Sequence, residues 1–205
     1  VDYATAHAAM QRFTERRDQK TPDEIWLLEH LPVYTMGLKG KNLSQPETLH
    51  GTPLVQTDRG GDLTYHGPGQ VVAYVLLDLP RLGIGIKELV RRLEQAVIDV
   101  LAARGVAAER RAGAPGVYVS GDKIASLGLR LRRGCSYHGL AFNVDLDLAP
   151  FARIDPCGYP GLRATSLKTL GVALDMAGAA NALLAALIGR LGYNEFKEHR
   201  HLPDD

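Results

Sequence analysis

Cysteine is scarce in this chain of 205 residues, which holds only Cys135 and Cys157. Two thiols in a sequence long enough to bury its own core do not make a disulfide scaffold, so free thiols and a cytoplasmic, reducing location are expected. An excess of one charge is also lacking. Twenty-four Lys and Arg against 23 Asp and Glu leave a formal net charge of +1, so nothing global calls for nucleic acid or an anionic membrane. The longest apolar runs, Val71 to Leu77 and Ala182 to Ile188, fall far short of the ~18 residues a membrane span needs. The start, Val1-Asp2-Tyr3, shows no charged segment leading into an apolar one, hence no visible signal peptide, and no initiator Met, which leaves room for natural residues before Val1. Several chemistries lack their motifs. Gly83-x-Gly85 has no third glycine of a dinucleotide fingerprint, there is no Walker loop and no G-x-S-x-G elbow, and the basic pairs Arg16-Arg17, Arg110-Arg111 and Arg132-Arg133 lack interleaved aromatics.

What is present suits one mixed domain spanning residues 1–205, with no repeat and no evident linker. Tyr3, Ala6, Met10 and Phe13 predict an amphipathic helix over residues 2 to about 19, ended by Thr21-Pro22. Ile25–Leu28 and Val33–Met36 read as short strands, residues 37–53 as loop, and Leu54–Asp58 as a further strand. The clearest helix covers Ile86 to Arg104, its apolar stripe leaving Arg91, Arg92, Glu94 and Asp99 on a solvated face. Residues 106–145 read as a meander of strands: Val117–Val119, Lys123–Leu131 with Leu127, Leu129 and Leu131 alternating, and Tyr137–Asp145. Residues 146–171 are irregular, and a last helix runs from about Asp175 to Leu191.

The organising stretch is Arg59-Gly60-Gly61-Asp62-Leu63-Thr64-Tyr65-His66-Gly67-Pro68-Gly69-Gln70, read as a loop feeding the apolar strand Val71 to Leu79. A strand buried on both faces holds such a loop rigid without covering it. The glycines let backbone approach a ligand, or simply make two tight surface turns; composition alone leaves both readings open. Cys157 lies between Pro156 and Gly158 with no periodicity around it, which suits a reachable thiol better than a core residue. A nucleophilic thiol needs a proton acceptor, and His66, His138 and Lys123 are candidates. From position alone, Lys123 reads better as an exposed residue beside the Gly121-Asp122 turn than as a base, and His138 equally well as a satisfied structural histidine. His7, His30, His50, His199 and His201 show no strong metal-ligand spacing, so no metal is expected.

The segment Arg59-Gly60-Gly61-x-x-Thr64-Tyr65-His66-Gly67-Pro68-Gly69-Gln70 closely resembles the signature of the lipoyl(octanoyl) transferases, the octanoyl-[acyl-carrier-protein]:protein N-octanoyltransferases of lipoate biosynthesis. Gly121 to Gly128 resembles that family's lysine motif, His138 to Val144 its next strand, Pro156-Cys157-Gly158 its nucleophile loop, and Thr165-Ser166-Leu167 also fits. The resemblance implies an α/β (α+β) fold like the biotin/lipoate protein ligase catalytic domain, with a mixed β-sheet and flanking helices. It implies Cys157 as nucleophile and Lys123 as its activating base. The substrate-binding residues would be Arg59, Gly60, Gly61, Asp62, Leu63, Thr64, Tyr65 and His66, then Ser126, Leu127 and Gly128, then Gly139, Leu140 and Ala141. Octanoyl-acyl carrier protein would be the donor, and lipoyl domains of 2-oxoacid dehydrogenase E2 subunits and the glycine cleavage H protein the acceptors. No ATP and no metal would be required. Because carrier proteins are acidic, Arg130, Arg132 and Arg133 form a candidate docking patch. Two rivals remain: an ATP-dependent lipoate or biotin ligase on the same fold, disfavoured by the missing G-R-G-R-x-G loop, and a non-catalytic module that binds carrier or lipoyl domains.

Overall fold

A computed structural model describes residues 1–40, 46–154 and 162–199. Helix α1 (Tyr3–Arg16) begins where the Asp2 carboxylate accepts the Thr5 N–H at 2.9 Å. It stops short of residue 19 because Asp18 turns the chain, accepting the N–H groups of Lys20 at 2.9 Å and Thr21 at 2.8 Å. The strands β1 (Glu24–Leu28), β2 (Val33–Met36), β3 (Thr48–Leu49), β4 (Thr52–Gln56), β5 (Leu63–His66) and β6 (Gln70–Leu76) follow. After the short helix α2 (Leu79–Leu82) and helix α3 (Ile86–Ala102) come β7 (Gly116–Val119), β8 (Asp122–Arg132), β9 (Cys135–Asn143) and helix α4 (Met176–Leu191). Among the described residues, no helix is long and apolar enough to cross a membrane.

The larger sheet has the order β1-β6-β9-β8-β7, every neighbouring pair antiparallel. Strand β6 is buried along its whole length, as its apolar run requires. Its side chains divide by the two-residue period: Val71, Ala73 and Val75 join the core under α3 and α4, while Val72, Tyr74 and Leu76 join the core under α1. A smaller sheet, β3-β4-β2-β5, contains the parallel pair β2–β4 and so supplies the mixed pairing.

Three local readings are corrected. Residues 63–66 of the organising stretch form a strand, because β2 offers a pairing edge, Met36 opposite Leu63 through Val33 opposite His66, that lies nearly thirty residues away in sequence. In the span read as loop, Leu38–Gly40 form a 3-10 turn and β3 and β4 pair as a hairpin, while residues 41–45 lie outside the described residues. On α3, Glu94 is not on a solvated face: it is 6% exposed, accepts the Gly116 N–H at 3.0 Å and pairs with Arg110 at 3.1 Å.

Candidate active site

A pocket opens between the α1 face of the larger sheet and residues 59–66. It holds about 480 Å³, its open mouth included. Val72 and Tyr74 of β6, Ser126 to Gly128 of β8 and His138 to Ala141 of β9 form one wall; Arg59, Gly61, Thr64 and His66 face them, and Tyr3 of α1 joins the lining. A narrow, largely apolar slot with a few polar groups is what an aliphatic ligand needs. Arg59 fixes the mouth from beneath. Its guanidinium is buried and donates to Thr35 O at 2.6 Å, Asp62 O at 2.7 Å and Gly60 O at 3.1 Å. Gly60 then docks on β8 through its N–H to Leu129 O at 2.9 Å, a crossing so close that a Cβ on Gly128 would stand 2.9 Å from Gly60 O.

A buried amide chain joins the motifs. Asn143 Nδ2 donates to Thr165 O at 2.9 Å, and Gln70 Nε2 donates to Asn143 Oδ1 at 2.9 Å. Gln70 Oε1 therefore accepts from His66 Nδ1 at 2.8 Å, which fixes the tautomer of that imidazole. Burial pushes His66 down to about 3, so it is neutral at pH 7.

The fold also assembles a cluster that spacing did not reveal. Nε2 of His7, a carboxylate oxygen of Asp58 and Nε2 of His138 lie within 4.8 Å of one another, a donor set of the kind that holds metal ions. The carboxylate is already engaged: it accepts from His7 at 3.1 Å, His138 at 2.8 Å, Gln11 at 3.5 Å and the Tyr137 hydroxyl. Burial pulls the Asp58 carboxyl upward, but hydrogen bonds from His138, His7 and Tyr137 outweigh it and hold the group well below the usual carboxylate range. Burial pushes His138 down to about 4 against the opposing pull of Asp58. A neutral His138 giving its Nε2–H to an ionised Asp58 leaves Nδ1 as a bare acceptor, buried and, among the described residues, without a hydrogen-bond partner. The residue also carries a left-handed φ of +60°, strain held by the surrounding sheet at the pocket wall.

Lys123 is the second residue of β8 and is 5% exposed, so the reading of an exposed lysine beside a turn is corrected: pairing of β8 with β7 draws its stem into the sheet. Its Nζ donates to Pro115 O at 3.2 Å and lies 5.3 Å from the Tyr118 ring centre. The Lys123 backbone bonds Arg163 O at 2.8 Å and Thr165 N at 2.9 Å, tethering to β8 the chain that follows the proposed nucleophile in sequence. Cys157 itself lies outside the described residues. Cys135 starts β9 and burial raises its thiol pKa, which suits an inert side chain.

Residues 2–188 match the lipoyl protein ligase A/B catalytic domain. The chain belongs to that family. It is 60% identical over 190 residues to the octanoyltransferase of Aromatoleum aromaticum, covering 91% of this chain and 80% of that protein. It is 59% identical over 188 residues to the octanoyltransferase of an Azoarcus species, covering 92% and 83%. Lipoate-protein ligase A bound with ATP shares the fold at a TM-score of 0.74 with 16% identity, over 93% of this chain and 81% of that one.

In this lipoyl protein ligase A/B domain, the residues expected to bind substrate all line the pocket except Gly60, Asp62, Leu63 and Tyr65. Strand alternation accounts for two of the exceptions: Thr64 and His66 face the pocket, while Leu63 and Tyr65 turn to a separate core with Tyr34, Leu146 and Phe151. Asp62 and Gly60 supply carbonyls to Arg59 instead. Tyr3, Val72, Tyr74 and His138 were not expected in the lining; alternation along β6 was the available signal for Val72 and Tyr74. Of the candidate docking arginines, Arg132 pairs with Glu15 at 2.9 Å and Arg133 donates to Thr14 O and Glu15 O at 3.0 and 2.6 Å, so both also hold the β8–β9 hairpin against α1.

The domain should weaken in mild acid. Burial leads in pushing His30 and His138 down to about 4 and His66 to about 3. Each folded pKa lies below the unfolded value, so the unfolded chain binds more protons. The stability concerned is complete above about pH 6.5 and is lost as pH falls toward 4, at up to about 1.4 kcal/mol per pH unit for each histidine. Urea midpoints should drop steeply between pH 7 and pH 5; a flat midpoint would contradict neutral burial of these rings.

Proposed function

We propose that the protein transfers an octanoyl group from octanoyl-acyl carrier protein to lysines of lipoyl domains through a thioester on Cys157. The observation that carries this reading is the 60% identity to an octanoyltransferase over most of both chains. The pocket supports it, since a slot between β6, β8, β9 and the Arg59–His66 stretch suits a straight acyl chain.

In this reading Lys123 takes the Cys157 thiol proton, and the thiolate attacks the donor's thioester carbonyl. The bond from carbonyl carbon to phosphopantetheine sulfur breaks, and the departing thiolate receives the proton from Lys123. The acceptor's lysine amine then attacks the acyl-enzyme. The Cys157 thioester breaks, an amide forms, and Lys123 carries the amine proton to the leaving thiolate. Thioester to amide runs downhill, so neither ATP nor a metal is needed. The acceptors would be lipoyl domains of 2-oxoacid dehydrogenase E2 subunits and the glycine cleavage H protein, and the location cytoplasmic.

A second reading, ATP-dependent ligation of a free acid, has the shared fold of lipoate-protein ligase A in its favour. One experiment separates them. Wild type and Cys157→Ser are mixed with octanoyl-acyl carrier protein, without ATP or acceptor, and weighed intact by mass spectrometry. An octanoyl adduct on wild type, removed by hydroxylamine and missing from Cys157→Ser, is expected. No adduct on wild type, with acceptor modification only when ATP and free octanoate are supplied, would replace the transferase with the ligase.

A further inference from the structure

We infer that Glu94 is a positioning residue for Lys123, acting through the single peptide group that joins Pro115 to Gly116. The inference rests on the reading of Lys123 as the proton-transfer group. The Gly116 N–H of that peptide donates to Glu94 Oε1 at 3.0 Å, and its Pro115 C=O accepts from Lys123 Nζ at 3.2 Å. The two ends of a planar trans peptide point in opposite directions, so fixing the N–H fixes where the C=O aims. A carboxylate on the N–H also polarises the peptide, strengthening the carbonyl as an acceptor at its far end.

The surroundings make this arrangement hard to explain as accident. Glu94 is 6% exposed on a helix otherwise packed by Leu89, Leu93, Ala96 and Val97, and its second oxygen is held by Arg110 at 3.1 Å. A buried carboxylate is costly unless its oxygens are engaged, and here one engagement is with the peptide that meets Lys123. Gly116 has φ +146°, and a Cβ there would stand 2.8 Å from Lys123 Cε and 2.8 Å from Ala125 O. The glycine therefore leaves the slot through which the lysine stem reaches the carbonyl. Helix α3, the 110–116 segment and β8 thus converge on the position of one nitrogen.

The test is steady-state octanoyl transfer by the full chain, with Glu94→Ala, Glu94→Gln, Lys123→Met and the double variant Glu94→Ala/Lys123→Met. Freeing the peptide should lower kcat by roughly 10- to 100-fold in Glu94→Ala with KM for the donor unchanged within about twofold, as expected when a reacting group is displaced by an ångström or less. Glu94→Gln, which keeps an oxygen to accept the Gly116 N–H, should recover kcat to within about threefold of wild type. The Glu94→Ala loss should vanish in the Lys123→Met background, because two residues acting as a unit are not additive. A wild-type kcat in Glu94→Ala, or an undiminished loss in that background, would overturn the inference while leaving Lys123 its role. A wild-type kcat in Lys123→Met would instead remove the underlying reading. Should Glu94→Ala not fold, Glu94→Asp keeps the charge and withdraws the carboxylate; a folded Glu94→Asp with wild-type kcat would equally overturn the inference.

Discussion

Lys123→Met is expected to slow octanoyl transfer by about 10²- to 10⁴-fold, the range that a positioned proton-transfer group supplies. The variant should stay folded. Lys123 is buried beside the Tyr118 ring, and an unbranched thioether of similar length fills the same slot with favourable sulfur–aromatic contact. Its thermal midpoint should therefore stay close to that of wild type, and KM for the carrier protein should hold. Both halves of the reaction should slow together, because in the proposed mechanism the same nitrogen serves acyl loading and acyl release. Rapid-quench mass spectrometry of the loading step alone checks this. Loading at the wild-type rate in a folded Lys123→Met would assign the proton to another group, with His138 Nδ1 the candidate because it is a buried acceptor with no partner among the described residues.

Gly139→Ala should destabilise the fold by about 3–5 kcal/mol and lower the thermal midpoint by roughly 6–20 °C. Gly139 lies opposite Tyr74 in the β6–β9 pair, and a Cβ on it would stand 1.9 Å from Ala73 O and 3.0 Å from the Ala73 carbonyl carbon. Those atoms are backbone in the middle of the larger sheet, so no rotamer change relieves the overlap and the strands themselves must part. The neighbour His138 already holds a left-handed φ of +60°, which leaves little freedom to absorb the shift. Gly189→Ala is the control. It sits inside α4 where, among the described residues and beyond its own helix backbone, nothing lies within 4 Å of an added Cβ, and it should be neutral or stabilising by up to about 1 kcal/mol. Equal midpoints for the two alanine variants would show that β6 and β9 are not packed as described.

Much of the fold follows from local pattern. The stripe of Leu89, Leu93, Val97 and Val100 announces α3, and the unbroken run after Gln70 announces a strand covered on both faces. The missed elements are those stabilised from a distance. Leu63–His66 become a strand only because β2 lies alongside, and the glycine-rich stretch around them does not carry that information. Glu94 reads as solvated because its spacing on α3 fits a polar face; its burial depends on the 110–116 segment folding over it. The site was legible in a similar measure. The Arg59–His66 motif and the 126–128 and 139–141 motifs carry most of the pocket lining, since their resemblance is a short-range string match. His7 and Asp58 meeting His138 was not legible, because that cluster is made by the docking of α1 on the sheet.

The division of side chains along β6 has a further consequence, for measuring rather than for holding. Successive residues on one face of a strand are about 7 Å apart. On the pocket side those marks are Val72 and Tyr74, with Leu76 beyond them in the core under α1. The Tyr74 hydroxyl is fastened to His30 Nε2 at 2.6 Å, so this mark does not swing aside. An acyl chain lying along β6 would thus meet a graduated rule whose divisions are strand positions. Chain length would then be read in steps, and shortening one side chain, as in Tyr74→Ala, would move the limit by a whole division.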